Sequence, residues 1–356
     1  MKTATDSRLP GASTLRRFLF LVAAVAALTL TQAVTAAAQR EPDQAFEFDD
    51  RPLQEPMEHP GWFKRSFLDL REDLEEAVAA GKAGIIVYFG QRRCAYCKLL
   101  LTVNFGQPDT ATYTQRNFDV IPIDIWGVDE VTDIDGITLT ERDFALREKT
   151  NFTPSLIFYH STGTEALRLR GYYPPYKFRA ALEYVADGHF RKESFGSFLE
   201  RGSGALAFEP GELNEEAFFS PPPHALDRSR FPAERPLAVF FEQGDCHACN
   251  VLHAQTLGES SVIELLRQFE NVQLDVYADT PVITPDGDRT TSKSWAHKLG
   301  LFYTPSILFF DRHGKEIIRV DSVVQFYRLR NVLLYVAGGG YQYQPNYQLW
   351  RLDSGF

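Results

Sequence analysis

The chain contains the same set of short motifs twice, at an offset of 151 or 152 residues. A CxxC pair at 94–97 has a counterpart at 246–249, and Thr-Pro-Ser at 153–155 has a counterpart at 304–306. A Tyr-Val-Ala triplet at 184–186 returns at 335–337. A period near 150 has the length of a whole domain and is far longer than the repeat of a solenoid, which is about 20–50 residues. The sequence therefore predicts two tandem copies of one domain.

Each copy alternates short apolar runs with helical patterns. In the first copy the pattern predicts strands at 84–90, 119–126, 155–159 and 166–169, and helices over 67–81, from the CxxC through 101, and over 176–186. In the second copy it predicts strands at 237–241, 272–277, 306–310 and 316–320, and helices from the CxxC and over 325–337. Alternating strands and helices followed by a late hairpin predict an α/β fold with a mixed sheet flanked by helices.

The first 38 residues have the three parts of a secretory signal peptide. Four basic residues precede an apolar run from Phe18 to Leu30, and small residues follow up to Ala38. The alternative is a membrane anchor, but the apolar run is short for a bilayer about 30 Å thick. We expect export to the periplasm, with cleavage after about Ala38. The predicted organisation is a signal peptide at 1–38, a first domain at 61–203, a linker rich in Gly, Pro and Glu at 204–223, and a second domain at 224–356.

Charge and cysteine content exclude other classes of protein. The formal net charge is −10, whereas nucleic-acid binding needs clustered Lys and Arg. We therefore expect no nucleic-acid partner. Only four of the 356 residues are cysteines, which is too few for a small disulfide-stapled scaffold. The sequence predicts no cofactor.

The two CxxC motifs indicate thiol–disulfide chemistry. A cysteine at the start of a helix lies beside unpaired backbone N–H groups, which favour the nucleophilic thiolate. The second cysteine, one turn later, can attack a mixed disulfide and release it. We predict that Cys94 and Cys246 are the nucleophiles and that Cys97 and Cys249 resolve.

The CxxC motifs have three other interpretations. A purely structural disulfide across so short a loop would stabilise the fold little. Cys246, Cys249 and His253 could bind copper or zinc, but a structural zinc site needs four ligands and the first copy has no matching His. Haem attachment needs a His directly after the second Cys, and Lys98 and Asn250 occupy those positions. A binding module for metal delivery or chaperoning stays as the alternative function.

A strand, a CxxC helix, a strand and a Thr-Pro that opens another strand resemble the thioredoxin superfamily, twice over. The resemblance implies a cis proline beside the sulfurs at Pro154 and Pro305, and substrate binding by the backbone of Thr153 and Thr304. The threonines and the motif at 94–97 resemble disulfide isomerases and the C-terminal domain of DsbD. The segment 171–175 resembles exported SoxW-type thioredoxins. These resemblances imply disulfide-containing protein substrates, a reductase or isomerase direction and, in an exported compartment, a membrane electron donor of the DsbD type.

Two positions differ from ordinary thioredoxins. The buried Asp that moves protons in that family is replaced by Tyr88 in the first copy and by Phe240 in the second, so Tyr88, Glu242 and Asp245 are the candidates for this role. The Trp before the first Cys is replaced by Arg93 and Asp245. Because Arg92 and Arg93 precede Cys94 while Asp245 precedes Cys246, we predict that Cys94 is the more acidic thiol.

Overall fold

Two four-stranded sheets with the same topology organise the chain. The structure is a computed structural model that describes residues 48–202 and 210–355; the predicted signal peptide at 1–38 and residues 204–209 of the predicted linker lie outside the described residues. The strands of the first copy are β1 (Gly84–Gly90), β2 (Phe118–Asp124), β3 (Glu130–Thr132), β4 (Thr138–Thr140), β5 (Ser155–His160) and β6 (Glu165–Arg170). Those of the second are β7 (His224–Ala225), β8 (Leu237–Glu242), β9 (Glu270–Asp275), β10 (Pro281–Ile283), β11 (Arg289–Thr291), β12 (Ser306–Phe310) and β13 (Glu316–Val320).

The first sheet has the strand order β2-β1-β5-β6, and the second has the equivalent order β9-β8-β12-β13. In each sheet one neighbouring pair is parallel, β1 with β2 and β8 with β9, while the remaining pairs are antiparallel. The prediction of an α/β fold with two mixed sheets is confirmed.

The helices lie around these sheets. In the first copy they are α1 (Leu70–Ala79), α2 (Ala95–Leu99), α3 (Pro108–Asn117), α4 (Glu141–Arg147), α5 (Pro175–Ala186) and α6 (Phe195–Gly202). In the second they are α7 (His247–Val251), α8 (Ser260–Leu266), α9 (Ser292–Lys298), α10 (Phe326–Ala337), α11 (Gly340–Tyr343) and α12 (Tyr347–Asp353). A π-helical turn extends α2 over Leu100–Asn104, and another extends α7 over Leu252–Leu257.

The central strand of each sheet is buried on both faces. Every residue of β1 is buried; Ile86 and Tyr88 belong to the hydrophobic core on one face of the sheet, and Val87 and Phe89 to the core on the other. A strand covered on both faces reads as a continuous apolar run, which is why the sequence located β1 and β8 so clearly.

The short strands were not predicted. The hairpin β3–β4 turns at Gly136 and the hairpin β10–β11 turns at Gly287, and both glycines have φ near +85° (83° and 87°). These strands are three residues long, too short for the alternation of apolar and polar residues to identify them.

The described part of the predicted linker region packs on the second copy. The Gly211 N–H donates to a carboxylate oxygen of Asp275 at 3.0 Å, and Phe219 packs edge-on against Phe240. Residues 210–223 therefore contribute to the packing of the second copy.

Each copy buries one side chain in a core cluster of the other copy, at matching positions of the repeat. Phe152, before the first Thr-Pro, is buried in a core cluster of the second copy, and Tyr303, before the second Thr-Pro, is buried in a core cluster of the first. Between them, the Val323 N–H donates to the Tyr172 carbonyl at 3.0 Å. The Thr-Pro face of each copy is therefore packed against the other copy.

Within the described ranges, none of the helices combines the length and the apolar character needed to cross a bilayer.

Candidate redox site

All four cysteines are paired within their own motifs. Cys94 is disulfide-bonded to Cys97 and Cys246 to Cys249, with Cα–Cα distances of 5.1 and 5.2 Å. The structure therefore shows both motifs in the oxidised state.

Each nucleophile candidate lies at the N-terminal end of a helix. Cys94 is the N-cap of α2, and its sulfur accepts the Cys97 N–H at 2.9 Å. Cys246 is the N-cap of α7, and its sulfur accepts the Cys249 N–H at 3.1 Å. A donor on the sulfur and the positive end of the helix both favour the thiolate form after reduction.

The Thr-Pro loops lie against these sulfurs. The Thr153–Pro154 and Thr304–Pro305 peptide bonds are both cis, which is the geometry expected from the motif. The Cys94 sulfur is 3.5 Å from the Thr153 carbonyl oxygen, and the Cys246 sulfur is 3.8 Å from that of Thr304. The structure therefore gathers the eight predicted site residues into two groups, here called the first site (Cys94, Cys97, Thr153, Pro154) and the second site (Cys246, Cys249, Thr304, Pro305).

A glutamine three residues before the first cysteine joins each site. In the first, Gln91 donates to the Thr153 hydroxyl at 2.9 Å, and that hydroxyl donates to the Cys94 sulfur at 3.3 Å. In the second, the Thr304 hydroxyl donates to Gln243 at 3.0 Å and lies 3.8 Å from the Cys246 sulfur. The sulfur of Cys94 thus has a closer hydroxyl donor. The prediction from sequence missed both glutamines, although their matching positions in the two copies were a usable signal.

The second copy contributes directly to the first site. Arg328, at the start of α10, donates from Nη2 to the Thr153 carbonyl at 2.8 Å, and its guanidinium lies 3.4 Å from the centre of the Tyr96 ring. The Tyr96 hydroxyl donates to Asp50 and accepts the Gln325 N–H, each at 2.8 Å. No local pattern in the sequence links Arg328, Asp50 or Gln325 to Cys94.

A buried ion pair lies close to the second site along the chain. Glu242, at the end of β8, is fully buried; its carboxylate is 3.1 Å from Nε2 of His253 and accepts a hydrogen bond from Gln273 at 3.0 Å. Nδ1 of His253 is 3.0 Å from Glu216. Burial alone would lower the pKa of His253, but the hydrogen bonds and charges of Glu242 and Glu216 outweigh burial and raise it. His253 is one helical turn after Cys249.

The first copy has different residues at the corresponding positions. Gly90 stands where the second copy has Glu242, and the hydroxyl of Tyr88 fills the space, since a Cβ on Gly90 would lie 2.5 Å from it. Burial, together with the charge of Asp124, raises the pKa of Tyr88. Tyr88 Oη is buried without a hydrogen-bond partner among the described residues.

The remaining candidates from sequence are on the surface. Arg92 and Arg93 are exposed, and the Arg92 side chain is 82% accessible with Nε 3.8 Å from Asp124. Asp245 is exposed and has φ of 51°. Charges in water are strongly screened, so these three residues are a weak basis for the predicted difference between Cys94 and Cys246.

The residues considered for a metal site have other partners: Cys246 is disulfide-bonded to Cys249. Both ring nitrogens of His253 bond to carboxylates, and no group of three or more His, Cys, Asp or Glu in the described ranges is arranged to hold a metal ion.

One family model matches the chain twice. The family model for the thioredoxin-like domain matches residues 70–186 and again residues 223–337. The search of curated proteins finds no match. Solved structures similar to this chain include a thioredoxin-fold protein from Helicobacter pylori, with 20% identity over 39% of this chain and 86% of that chain and a TM-score of 0.33.

Two further similar structures are a thioredoxin from Thermus thermophilus and a DsbH oxidoreductase. The first has 26% identity over 33% of this chain and 83% of that chain, with a TM-score of 0.26. The second has 17% identity over 35% and 87%, with a TM-score of 0.21. The two family matches and the two CxxC motifs support a thiol–disulfide redox function. Because the family model covers most of the chain and matches it twice, the chain belongs to the thioredoxin-like family, with two domains in tandem.

Proposed function

We propose that this protein is an exported thiol–disulfide oxidoreductase that exchanges disulfides with protein substrates through two CxxC motifs. One observation carries the proposal: in both copies the first cysteine caps a helix, and its sulfur lies against the carbonyl of a Thr that precedes a cis proline. The resemblance implies substrate binding by the backbone of Thr153 and Thr304. Thr304 is half-buried, whereas Thr153 is buried and its carbonyl is bound by Arg328.

The exchange reaction follows from the two sulfurs. In the reduced form, the Cys94 thiolate attacks one sulfur of a substrate disulfide; the substrate S–S bond breaks, and its other sulfur leaves as a thiolate that takes up a proton. Cys97 then attacks Cys94, releasing the substrate dithiol and leaving the Cys94–Cys97 disulfide seen in the structure. Two electrons have moved from the protein to the substrate. Cys246 and Cys249 carry out the same steps in the second site.

The direction that we favour is reduction or isomerisation. Each reductive turnover leaves a protein disulfide, so a dithiol donor must restore the thiols, and in the periplasm a membrane donor of the DsbD type would supply them. Export itself rests on the signal peptide pattern of residues 1–38.

The resolving cysteine must lose a proton before it attacks. In the second copy, the Glu242–His253 pair is our candidate acceptor for the Cys249 proton, since His253 follows Cys249 by one helical turn and its partner carboxylate is buried. In the first copy Tyr88 is the corresponding polar group, and its raised pKa keeps the phenol protonated at neutral pH, so it cannot take up the Cys97 proton. We therefore expect proton removal to differ between the copies.

The test is catalysis of insulin reduction and of the refolding of a protein with scrambled disulfides, with dithiothreitol as the electron source. We expect both reactions to be faster with the protein than with dithiothreitol alone. The matched control is the variant Cys94→Ser/Cys246→Ser, which keeps the fold but has no nucleophile. Equal rates with and without the wild-type protein would refute the proposal and favour the binding-module alternative.

A further inference from the structure

The two copies contact each other through a matched pair of cations. Lys177 in α5 and Arg328 in α10 occupy the same position of the repeat, and each reaches the loop before the Thr-Pro of the other copy. Lys177 Nζ donates to the Phe302 carbonyl at 2.6 Å, two residues before Thr304. Arg328 Nη2 donates to the carbonyl of Thr153 itself, at 2.8 Å.

The two cations therefore differ in their relation to the sulfurs. The carbonyl oxygen of Thr153 is shared, because the Cys94 sulfur is 3.5 Å from the oxygen that Arg328 binds. Because both contact the same oxygen atom, the distance between Arg328 Nη2 and the Cys94 sulfur cannot exceed the sum of their two distances to that oxygen. Lys177, in contrast, binds the Phe302 carbonyl, whereas the Cys246 sulfur lies against the Thr304 carbonyl.

Arg328 is buried among aromatic rings. The residue is 8% exposed, its guanidinium lies over the rings of Tyr96 and Phe152, and its Nη1 has no hydrogen-bond partner among the described residues. A cation acts more strongly on a neighbouring charge where water is excluded. Arginine also keeps its charge in such a place, whereas burial lowers the pKa of Lys177 to about 8.

The carboxylate of Asp50 lies near Arg328 and is bound by other groups. Asp50 accepts the backbone N–H groups of Tyr327 and Arg328 and the Tyr96 hydroxyl, each at 2.8 Å. The negative charge of Asp50 offsets part of the effect of the Arg328 guanidinium. Arg92 and Arg93, the other cations near Cys94 in the sequence, are exposed. The Cys94 sulfur also accepts hydrogen bonds from the Cys97 N–H, at the start of α2, and from the Thr153 hydroxyl, and neither donor carries a full charge.

We propose that Arg328 of the second copy is a positioning residue for the first site: it holds the Thr153 carbonyl beside Cys94 and stabilises the thiolate that forms when the Cys94–Cys97 disulfide is reduced. The proposal rests on the proposed function in taking Cys94 as the nucleophile. It makes the second copy part of the first site and replaces Arg92 and Arg93 as the source of the difference between the two thiols.

The experiment measures alkylation of the reduced full-length protein by iodoacetamide from pH 4 to 9, with each cysteine assigned by mass spectrometry. In the wild type we expect the Cys94 curve to have its midpoint below that of Cys246. Arg328→Met should move the Cys94 midpoint upward by about one pH unit, which is roughly a tenfold loss of thiolate at lower pH. Arg328→Lys should restore most of the difference, since it restores the charge.

Two controls separate this effect from loosened packing. The Cys246 curve in the same molecules should stay in place, and Lys177→Met, the same substitution at the matched position, should leave the Cys94 curve unchanged. The proposal would be overturned if Arg328→Met left the Cys94 curve in place, or if it moved the Cys94 and Cys246 curves together.

If Arg328→Met does not fold, the alkylation curves of the wild type and of Arg328→Lys test the proposal. A wild-type Cys94 midpoint at or above that of Cys246 overturns the proposal, and a lower midpoint that Arg328→Lys retains supports it. Alkylation needs no protein substrate, so a failure of insulin reduction would refute the proposed function without moving these curves.

Discussion

The two copies share the parts that make and break disulfides and differ in what surrounds them. Both have a helix-capping cysteine, a cis Thr-Pro loop and a glutamine that bonds the threonine. In the strand before the CxxC, however, the first copy has a neutral phenol at Tyr88, and the second has a buried carboxylate at Glu242 paired with His253. The residues that set the geometry for disulfide exchange are therefore different from those that set the charge near each motif.

Access to the two motifs also differs. The residues between the cysteines of the first site, Ala95 and Tyr96, are both buried, and Tyr96 is covered by the start of α10. In the second site His247 is exposed and Ala248 is half-buried. A large substrate therefore meets less obstruction at the second motif.

The largest expected effect comes from removing one nucleophile at a time. Cys246→Ser should abolish most of the activity on a folded protein substrate, because the second motif is the more accessible. Cys94→Ser should have the larger effect on a small disulfide, because Arg328 favours the Cys94 thiolate. Steady-state rates with insulin and with a small aromatic disulfide measure this. Equal losses from the two variants on both substrates would contradict a division of labour.

The next effect is on stability and concerns the second copy alone. His253→Gln leaves Glu242 buried without its cationic partner, and breaking a buried pair costs about 3–5 kcal/mol of the free energy of unfolding. Urea unfolding measures the loss, and hydrogen exchange should place it in β8 and β9. The double variant His253→Gln/Glu242→Gln should lose less, because no unpaired charge remains; a larger loss in the double variant would show that the pair is not ionic.

The same pair predicts a pH dependence of stability. Because the folded state raises the pKa of His253 above 6.5, its stabilisation is complete below pH 6.5 and is lost as pH rises through the higher folded value. Two other groups titrate near the same pH: burial raises the pKa of Asp321 to about 6, and burial lowers that of Lys177 to about 8. Both are also present in a His253 variant, so their contributions cancel when that variant is compared with the wild type.

Urea midpoints between pH 6.5 and 8 test this dependence, with wild type compared with His253→Gln. We expect the wild type to lose stability relative to the variant across that range. A constant difference between the two proteins would mean that His253 does not titrate there.

The smallest effect concerns the threonine hydroxyls. Thr153→Val removes the donor 3.3 Å from the Cys94 sulfur and should move the Cys94 alkylation midpoint upward by a few tenths of a pH unit. Thr304→Val is the matched control, because the Thr304 hydroxyl donates to Gln243 instead. A larger shift of Cys246 in Thr304→Val than of Cys94 in Thr153→Val would reverse the comparison.

Much of the fold and the core of each site could be read from the chain because they depend on short spacings. The buried strands β1 and β8 are continuous apolar runs, and the CxxC and Thr-Pro motifs flank strands that the sheet must place side by side. The repeat strengthened each inference, since every motif was read twice. The Gln91 and Gln243 pair followed the same repeat and was overlooked.

The tertiary structure decided what lies around the sulfurs. Arg328 and Thr153 are 175 residues apart in the chain, and Asp50 and Arg328 are 278 apart, so no local pattern connects them. Arg92 and Arg93, adjacent to Cys94, extend into water instead. The sequence by itself determined the dithiols, their helices and their loops, because these follow from backbone geometry over a few residues. The charge beside each thiol depends on how the two copies pack, because burial and through-space distance set its strength.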